Sequence, residues 1–144
     1  ASTLHDIGKI SIDEKILNKP GKLTPEEYEI MQTHTVIGSE IIDGIREYRN
    51  RPFAQVARSI CRWHHERYDG SGYPDGLMGD EIPLAAQVVA LADVYDALVS
   101  KRVYKEDYTH AHAMEMILDG KCGAFNPELL KCLKRADRKI RETR

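Results

Sequence analysis

An all-α fold, a bundle of helices with one loop rich in glycine and proline, is expected from three features of the sequence. Apolar residues recur at spacings of three and four along most of the chain, which is the period of an amphipathic helix. No segment alternates apolar and polar residues as a half-buried strand does. Residues that cap helix N-termini precede two of the apolar runs. The 144 residues, of which 42% are apolar, suffice for one domain with its own core.

The first strong helix signal is the segment Thr24-Pro25-Glu26-Glu27. Threonine suits the N-cap, proline suits the first helical position, and glutamate at the third position closes a capping box. After this start, a stripe of residues three and four apart predicts the buried face of one continuous helix: Ile30, His34, Ile37, Ile41 and Ile45.

Four further helices are predicted along the chain. Residues 53–68 form one, with Val56, Ile60, Trp63 and Arg67 on one side. Residues 84–99 are apolar nearly all round, so we expect this helix at the centre of the fold. Between these two, residues 69–81 hold four glycines and one proline and are predicted to form a loop. Shorter helices are expected at 110–119 and 128–142, the second capped by Asn126 with Pro127 in its first turn.

Composition and charge exclude several classes of protein. Lys and Arg total 21 against 23 Asp and Glu, so the bulk charge does not favour a nucleic-acid polymer as partner. No apolar run approaches the roughly 20 residues that cross a bilayer, so no membrane insertion of this segment is expected. The cysteines are odd in number and lack metal-finger spacing, which favours the reducing cytoplasm over a disulfide scaffold: Cys61, Cys122 and Cys132.

Both ends of the chain carry unusual features. The sequence starts at Ala1 rather than Met, and a dense polar cluster begins four residues later. Because free termini fray, this placement predicts that the chain, a single domain, is a fragment of a longer protein. At the other end, residues 131–144 carry seven basic and two acidic side chains. This excess indicates either a solvated helix face or a contact with phosphate or a partner.

Six residues with metal-binding side chains lie in four separate segments of the sequence: His5, Asp6, His34, His64, His65 and Asp93. Singly, each has a plain structural explanation, such as a hydrogen-bonded core histidine or a carboxylate held by an arginine. Together, imidazoles and carboxylates are the usual ligands of iron, manganese and zinc. Adjacent helical residues point about 100° apart, so the His5-Asp6 and His64-His65 doublets suit two metals rather than one. Two-metal sites clamp the attacking and leaving oxygens of a phosphoryl displacement, so the set predicts a multinuclear metallohydrolase. These residues alone do not indicate its substrate.

The order of these residues and their neighbours resembles a known family. The segments are His5-Asp6-Ile7-Gly8-Lys9, then His34, His64-His65-Glu66, Asp69-Gly70-Ser71-Gly72-Tyr73-Pro74-Asp75-Gly76-Leu77 and Ala92-Asp93-Val94-Tyr95-Asp96-Ala97-Leu98. Between His5 and about Pro127 the chain is similar to the HD-GYP subgroup of the HD phosphohydrolase superfamily. A bare His-Asp pair is a weak signal, whereas the combined set in this order is highly specific.

The resemblance implies an HD-domain-like helical bundle that hydrolyses cyclic di-GMP, a bacterial second messenger, to pGpG and then GMP. The six metal-binding residues would be the ligands of two divalent ions, iron or manganese, with Asp6 bridging them. Lys9 resembles the lysine that meets the scissile phosphate, and Arg102 and Lys105 resemble residues that hold the dinucleotide phosphates. Tyr73 is expected either to stack on a guanine or to pack against the helix below. The loop of residues 69–79, called here the GYP loop, would contact partner proteins.

The chain departs from the family pattern before His5. Two further ligands, a glutamate and a histidine on an upstream helix, are absent from these residues, so a third metal is not expected. Losing that helix would expose apolar surface, and a homodimer that covers this surface is predicted.

Two alternatives to hydrolysis of cyclic di-GMP remain open. One is a phosphohydrolase acting on another nucleotide, such as a cyclic GMP-AMP dinucleotide, and the other is a catalytically impaired module that binds proteins. His110 and His112 have no matching role and are expected on the surface.

Overall fold

The all-α prediction is confirmed. The computed structural model describes residues 2–47, 49–100 and 108–142, and within them we find helices and no strand. Asp69 and Met78 form an isolated β-bridge. Short 3₁₀ helices lie at Ser2–Leu4, Ile7–Ser11 and Gly79–Glu81. The α-helices are α1 (Glu14–Leu17), α2 (Pro25–Gln32), α3 (His34–Gly44), α4 (Pro52–Trp63), α5 (Leu84–Val99), α6 (His110–Leu118) and α7 (Pro127–Glu142).

The predicted helix start at Thr24 is confirmed, whereas the prediction of one continuous helix from there to Ile45 is wrong. The capping box is present: the Glu27 amide donates to Thr24 Oγ1 at 3.2 Å, and the Thr24 amide donates to Glu27 Oε2 at 2.7 Å. The chain divides at Thr33, whose amide and hydroxyl both donate to the Ile30 carbonyl, at 3.1 and 2.7 Å. This three-residue spacing tightens the last turn of α2 and separates it from α3.

The buried face of α3 also differs from the predicted isoleucine stripe. Ile30 and Ile45 are 46% and 44% exposed, so the two ends of the predicted stripe are not buried. The buried residues of α3 are instead mostly small or polar: His34, Thr35, Gly38, Ser39 and Ile42.

These small residues let the chain before α1 approach α3 closely. A Cβ atom on Gly8 would lie 1.9 Å from the His34 carbonyl oxygen and 2.6 Å from the Gly38 amide nitrogen. Only glycine fits there, since real Cβ atoms do not approach backbone atoms so closely. The contact brings Asp6, which precedes the 3₁₀ helix Ile7–Ser11, next to the start of α3.

Helix α4 begins one residue before the predicted range and ends at Trp63, five residues before its end. Its buried face consists of Ala54, Ala57, Ile60 and Cys61, while the predicted Val56 is 42% exposed. The chain leaves the helix after His64, and the Tyr68 amide bonds instead to the carbonyl of Ala124, 56 positions further along the sequence. Because that partner belongs to a distant segment, local periodicity could not place this end.

The C-terminal half matches the prediction closely. Helix α5 spans the predicted range, and α6 and α7 agree within one residue at each end. Asn126 Oδ1 accepts from the Glu128 amide at 2.9 Å, as expected of the cap on α7. A core cluster joins α5 and α6 to Phe125, with leucines of α7 packed against it. A smaller cluster joins Ile42 of α3 to Ala54, Ala57 and Cys61 of α4.

Among the helices of the described ranges, none is both long and apolar enough to cross a bilayer. The three cysteines, all of which are described, are free thiols.

Candidate metal centre

Four of the predicted ligands meet at one point of the fold. His34 is the first residue of α3, His64 follows the last residue of α4, His65 comes next, and Asp6 precedes a 3₁₀ helix. One donor atom from each lies within 4.8 Å of the others. We call Asp6, His34, His64 and His65 the Asp–His cluster. His34 and His64 are each only 1% exposed.

Backbone carbonyls fix the orientation of two of the imidazole rings. His34 Nδ1 donates to the Met31 carbonyl at 2.6 Å, and His64 Nδ1 donates to the carbonyls of Ile60 and Cys61 at 2.9 and 3.0 Å. Because a carbonyl can only accept, Nδ1 carries the proton, and Nε2 of each neutral ring presents a lone pair. The two Nε2 atoms lie 3.5 Å apart. This backbone support is typical of metal-binding histidines.

Burial keeps these imidazoles neutral. It lowers the pKa of His64 to about 4, with a further contribution from His5, and lowers the pKa of His65 to about 2, with a further contribution from His64. Burial also lowers the pKa of His34, although its hydrogen bond to Met31 opposes the shift. A neutral imidazole is the form that binds a metal.

Asp6 supplies the negative charge of the cluster. Burial raises the pKa of its carboxyl group, but hydrogen bonds from His5 and Lys9 outweigh burial and hold that pKa well below its usual range. Lys9 Nζ donates to Asp6 Oδ2 at 2.6 Å. Asp6 is therefore an ionised carboxylate at neutral pH.

The other oxygen of Asp6 provides a test of whether these residues fit a metal. Asp6 Oδ1 is buried and has no hydrogen-bond partner within the described part of the chain. It faces Nε2 of His34 at 3.5 Å and Nε2 of His64 at 3.9 Å. Three electron-pair donors thus converge with no proton between them, which costs free energy unless a cation lies among them. The donor set fits a divalent metal ion.

The remaining two predicted ligands lie beside the Asp–His cluster. His5 Nε2 is 3.3 Å from Asp6 Oδ2 and 3.6 Å from Asp93 Oδ1. The hydrogen bond from His5 outweighs burial and lowers the pKa of Asp93. A cleft of about 280 Å³ opens next to these residues and is lined by Thr3, His5, Val89, Ala92, Asp93 and Asp96.

The residues predicted to bind substrate have different outcomes. Lys9 lies at the Asp–His cluster through its bond to Asp6. The Tyr73 ring stacks on His65, with centroids 4.8 Å apart and planes 26° apart, so its observed contact is packing against a ligand candidate. Arg102 and Lys105 lie outside the described residues.

Two residues have contacts that the sequence analysis missed. Glu66, 3% exposed, accepts hydrogen bonds from three successive amides of the GYP loop. An acid directly after two histidines and before a glycine-rich loop was the available signal. The expectation that His110 lies on the surface is wrong, because its side chain is only 12% exposed and its ring bridges Tyr95 Oη at 2.7 Å and Asp137 Oδ1 at 2.8 Å. His112 is exposed, as expected, with 47% of its side chain accessible.

Comparison with known proteins identifies the family. The HD domain family model matches residues 1–129. The chain belongs to the HD domain family. Within this HD domain, the motifs that resemble the HD-GYP type lie on the elements described above.

Three relatives illustrate the similarity of this HD domain to longer proteins. It is 49% identical over 135 residues to the cyclic di-GMP phosphodiesterase response regulator RpfG of Xanthomonas campestris pv. campestris, covering 94% of this chain and 35% of that protein. It is 46% identical over 142 residues to a cyclic di-GMP phosphodiesterase of Thermotoga maritima, covering 97% of this chain and 37% of that protein. A 3'3'-cGAMP-specific phosphodiesterase 2 of Vibrio cholerae is 45% identical over 133 residues, covering 92% and 25%. The HD domain thus spans well under half the length of these relatives.

Proposed function

We propose that this HD domain is a metal-dependent phosphodiesterase that hydrolyses cyclic di-GMP to pGpG and then GMP in bacterial second-messenger signalling. The observation that carries the proposal is the convergence of the unpartnered Asp6 Oδ1 with the Nε2 lone pairs of His34 and His64. The names of relatives such as the Thermotoga maritima protein support the choice of substrate. The free cysteines support a location in the reducing cytoplasm.

We assign six residues as ligands of two divalent ions, iron or manganese: His5, Asp6, His34, His64, His65 and Asp93. Asp6 is proposed as the bridging ligand because its two oxygens face different imidazoles. Oδ1 faces His34 and His64, whereas Oδ2 lies 3.3 Å from His5 Nε2. When bound, such a pair of ions lowers the pKa of water and offsets negative charge on a reacting phosphate.

The chain's own residues bind and position the phosphate. The Lys9 side chain is 36% exposed, so its ammonium group can donate to a phosphate oxygen while it stays close to Asp6. We propose that Lys9 meets the scissile phosphate and that Arg102 and Lys105 hold the dinucleotide phosphates. Positive charge fixed in advance near the phosphorus stabilises the charge that develops on its oxygens.

Product analysis tests the proposal. The purified protein, loaded with Mn²⁺ or Fe²⁺, is incubated with cyclic di-GMP, and the products are separated by ion-exchange chromatography. Release of pGpG, absent in Asp6→Ala, is the expected result. A metal-loaded wild-type protein that leaves cyclic di-GMP intact, or an Asp6→Ala variant with unchanged hydrolysis, would refute it.

A second candidate substrate is the cyclic GMP-AMP dinucleotide. The observation that favours it is the 45% identity to the 3'3'-cGAMP-specific phosphodiesterase 2 of Vibrio cholerae. The same assay with 3'3'-cGAMP beside cyclic di-GMP separates the two. Faster turnover of 3'3'-cGAMP would support the second candidate and leave the ligand assignment intact.

A further inference from the structure

We propose that Tyr73 is a positioning residue that orients the His65 imidazole, and that Glu66 and Asp75 fasten Tyr73 in place. The inference rests on the proposed function, in which His65 is a metal ligand. Tyr73 then acts on the metal site through His65 rather than through a nucleobase.

His65 differs from the other two histidines of the Asp–His cluster in how its ring is held. Backbone carbonyls fix Nδ1 of His34 and of His64. In the described ranges, by contrast, neither ring nitrogen of His65 has a hydrogen-bond partner. Its ring is bounded by aromatic contacts, with Tyr73 stacked at 4.8 Å and His64 tilted at 4.1 Å between centroids. Stacking on Tyr73 therefore takes the place of the hydrogen bond that usually orients a metal-binding histidine.

The GYP loop holds Tyr73 in this position by running directly over the end of α4. The Tyr73 amide donates to the His65 carbonyl at 3.3 Å. A Cβ atom on Gly72 would lie 2.3 Å from the Arg67 amide nitrogen and 2.4 Å from the Glu66 Cα atom. The backbones approach so closely that only glycine fits at residue 72.

Two carboxylates fasten the next residues of the loop to the same segment. Glu66 Oε1 accepts from the amides of Asp75 at 2.7 Å and Gly76 at 3.1 Å, and Oε2 accepts from the Leu77 amide at 3.1 Å. The Asp75 carboxylate accepts two bonds from the Arg62 guanidinium, both at 2.8 Å, and one from Trp63 Nε1 at 2.7 Å. Hydrogen bonds to charged groups are stronger than those between neutral groups. These bonds therefore hold the GYP loop in a fixed position relative to His64 and His65.

The same contacts argue against Tyr73 as a stacking platform for guanine. One face of its ring is covered by His65, and Tyr28 approaches it edge to face at 6.2 Å between centroids. Of the two expectations for Tyr73, the contacts therefore favour packing, and the residue that its ring packs against is the proposed metal ligand His65.

The test compares four variants of the purified protein without any nucleotide. Tyr73→Leu removes the stack, Tyr73→Phe keeps it, and Glu66→Gln weakens the fastening. Tyr68→Leu is the matched control, because Tyr68 lies on the same stretch of chain but bonds to Asp80 rather than to His65. Mn²⁺ affinity is measured by calorimetric titration. The orientation of His65 is measured in metal-free protein by NMR, from the ring-current shift of its imidazole C–H protons.

We expect Tyr73→Leu to weaken Mn²⁺ binding by about 10- to 100-fold, the usual range for residues that orient metal ligands. Its His65 proton shifts should lose the ring-current contribution. Tyr73→Phe and Tyr68→Leu should resemble wild type in both measurements, and Glu66→Gln should lie between wild type and Tyr73→Leu. If Tyr73→Leu does not fold, as judged by circular dichroism, Glu66→Gln alone decides, and unchanged affinity and shifts would overturn the proposal.

Two results would overturn the positioning role directly. One is a folded Tyr73→Leu variant with wild-type Mn²⁺ affinity and unchanged His65 shifts, and the other is an equal loss of affinity in Tyr68→Leu. If wild-type protein bound no Mn²⁺, the proposed function would fail, while the NMR comparison would still judge whether Tyr73 orients His65.

Discussion

The histidines of the Asp–His cluster and His110, with the residues around it in the C-terminal half, form two groups with opposite hydrogen-bonding patterns. At the Asp–His cluster, His34 and His64 each donate from Nδ1 to backbone carbonyls and direct Nε2 toward the unpartnered Asp6 Oδ1. In the C-terminal half, both ring nitrogens of His110 have partners, Tyr95 Oη and Asp137 Oδ1. A half-buried histidine such as His110, whose ring nitrogens are both paired, has a structural role, whereas lone pairs that converge on an ionised oxygen require a cation.

The packing around the two groups differs as well. Near the Asp–His cluster, elements meet through small residues, and Gly8 lies directly against the backbone of α3. Around His110, α5, α6 and α7 meet through large apolar side chains such as Leu91, Leu98 and Ile117. Close backbone contact fixes polar side chains accurately but buries little apolar area, so the C-terminal half supplies more of the hydrophobic stabilisation.

The largest expected effect is on the rate of hydrolysis, which should depend on Asp6 of the Asp–His cluster and not on Asp137, the partner of His110. Asp6→Ala should reduce hydrolysis of cyclic di-GMP to background, because it removes the only charged member of the Asp–His cluster. Asp137→Ala should leave turnover unchanged, since Asp137 bonds to His110 and Arg141 instead. Initial rates of pGpG release measure both, and equal losses in the two variants would remove the distinction between the groups.

A second prediction concerns the close approach at Gly8. Gly8→Ala should lower the free energy of unfolding by about 3 kcal/mol or more, because the new Cβ would meet backbone rather than a movable side chain. Gly44→Ala is the matched control: nothing lies within 4 Å of a Cβ there, and Gly44 is the last residue of α3, so alanine should not lower the free energy of unfolding. Urea denaturation gives both values. A Gly8→Ala protein as stable as Gly44→Ala would show that the contact is not tight.

Metal binding should stabilise the protein through the six proposed ligands and not through His110. Mn²⁺ at a hundred times its Kd should raise the free energy of unfolding by about 2.7 kcal/mol, since it binds the folded state. His110→Ala should retain this increase, and His64→Ala should lose it. Thermal unfolding with and without Mn²⁺, and after chelation, provides the measurement. An increase that survived His64→Ala would place the ion elsewhere.

The smallest expected effect is at His110 itself. His110→Ala should lower the free energy of unfolding by about 1–2 kcal/mol through the loss of two hydrogen bonds that join α5, α6 and α7. His112→Ala, at an exposed position of the same helix, should change it little. Denaturation curves compare the two variants, and a drop in turnover for His110→Ala would assign this histidine a role beyond structure.

Local signals explain what the sequence could predict of the fold. Capping residues placed the starts of α2 and α7, and a nearly uniform apolar run placed α5. The break at Thr33 was missed because its backbone dihedral angles are those of a right-handed helix and only its hydrogen bonds differ. The end of α4 depends on the contact between Tyr68 and Ala124, which no local pattern contains.

The site, like the fold, could be predicted where the signal lies in the local sequence and not where it depends on contacts between distant segments. The motif order identified every member of the Asp–His cluster, because the chemistry restricts which residue types can serve. Pairings between distant segments, such as Glu66 with the GYP-loop amides and His110 with Asp137, appear only in the folded chain. The homodimer and the docking of partners on the GYP loop stay predictions.

The proposed function depends on the binding of divalent metal by Asp6 and the three buried or half-buried histidines. Elemental analysis of the protein after equilibration with Mn²⁺ and gel filtration tests it most directly, with Asp6→Ala and Asp137→Ala run in parallel. We expect bound Mn²⁺, approaching two ions per chain, in wild type and Asp137→Ala, and its loss in Asp6→Ala. Wild-type protein without bound metal, or an Asp6→Ala variant with an undiminished content, would contradict it.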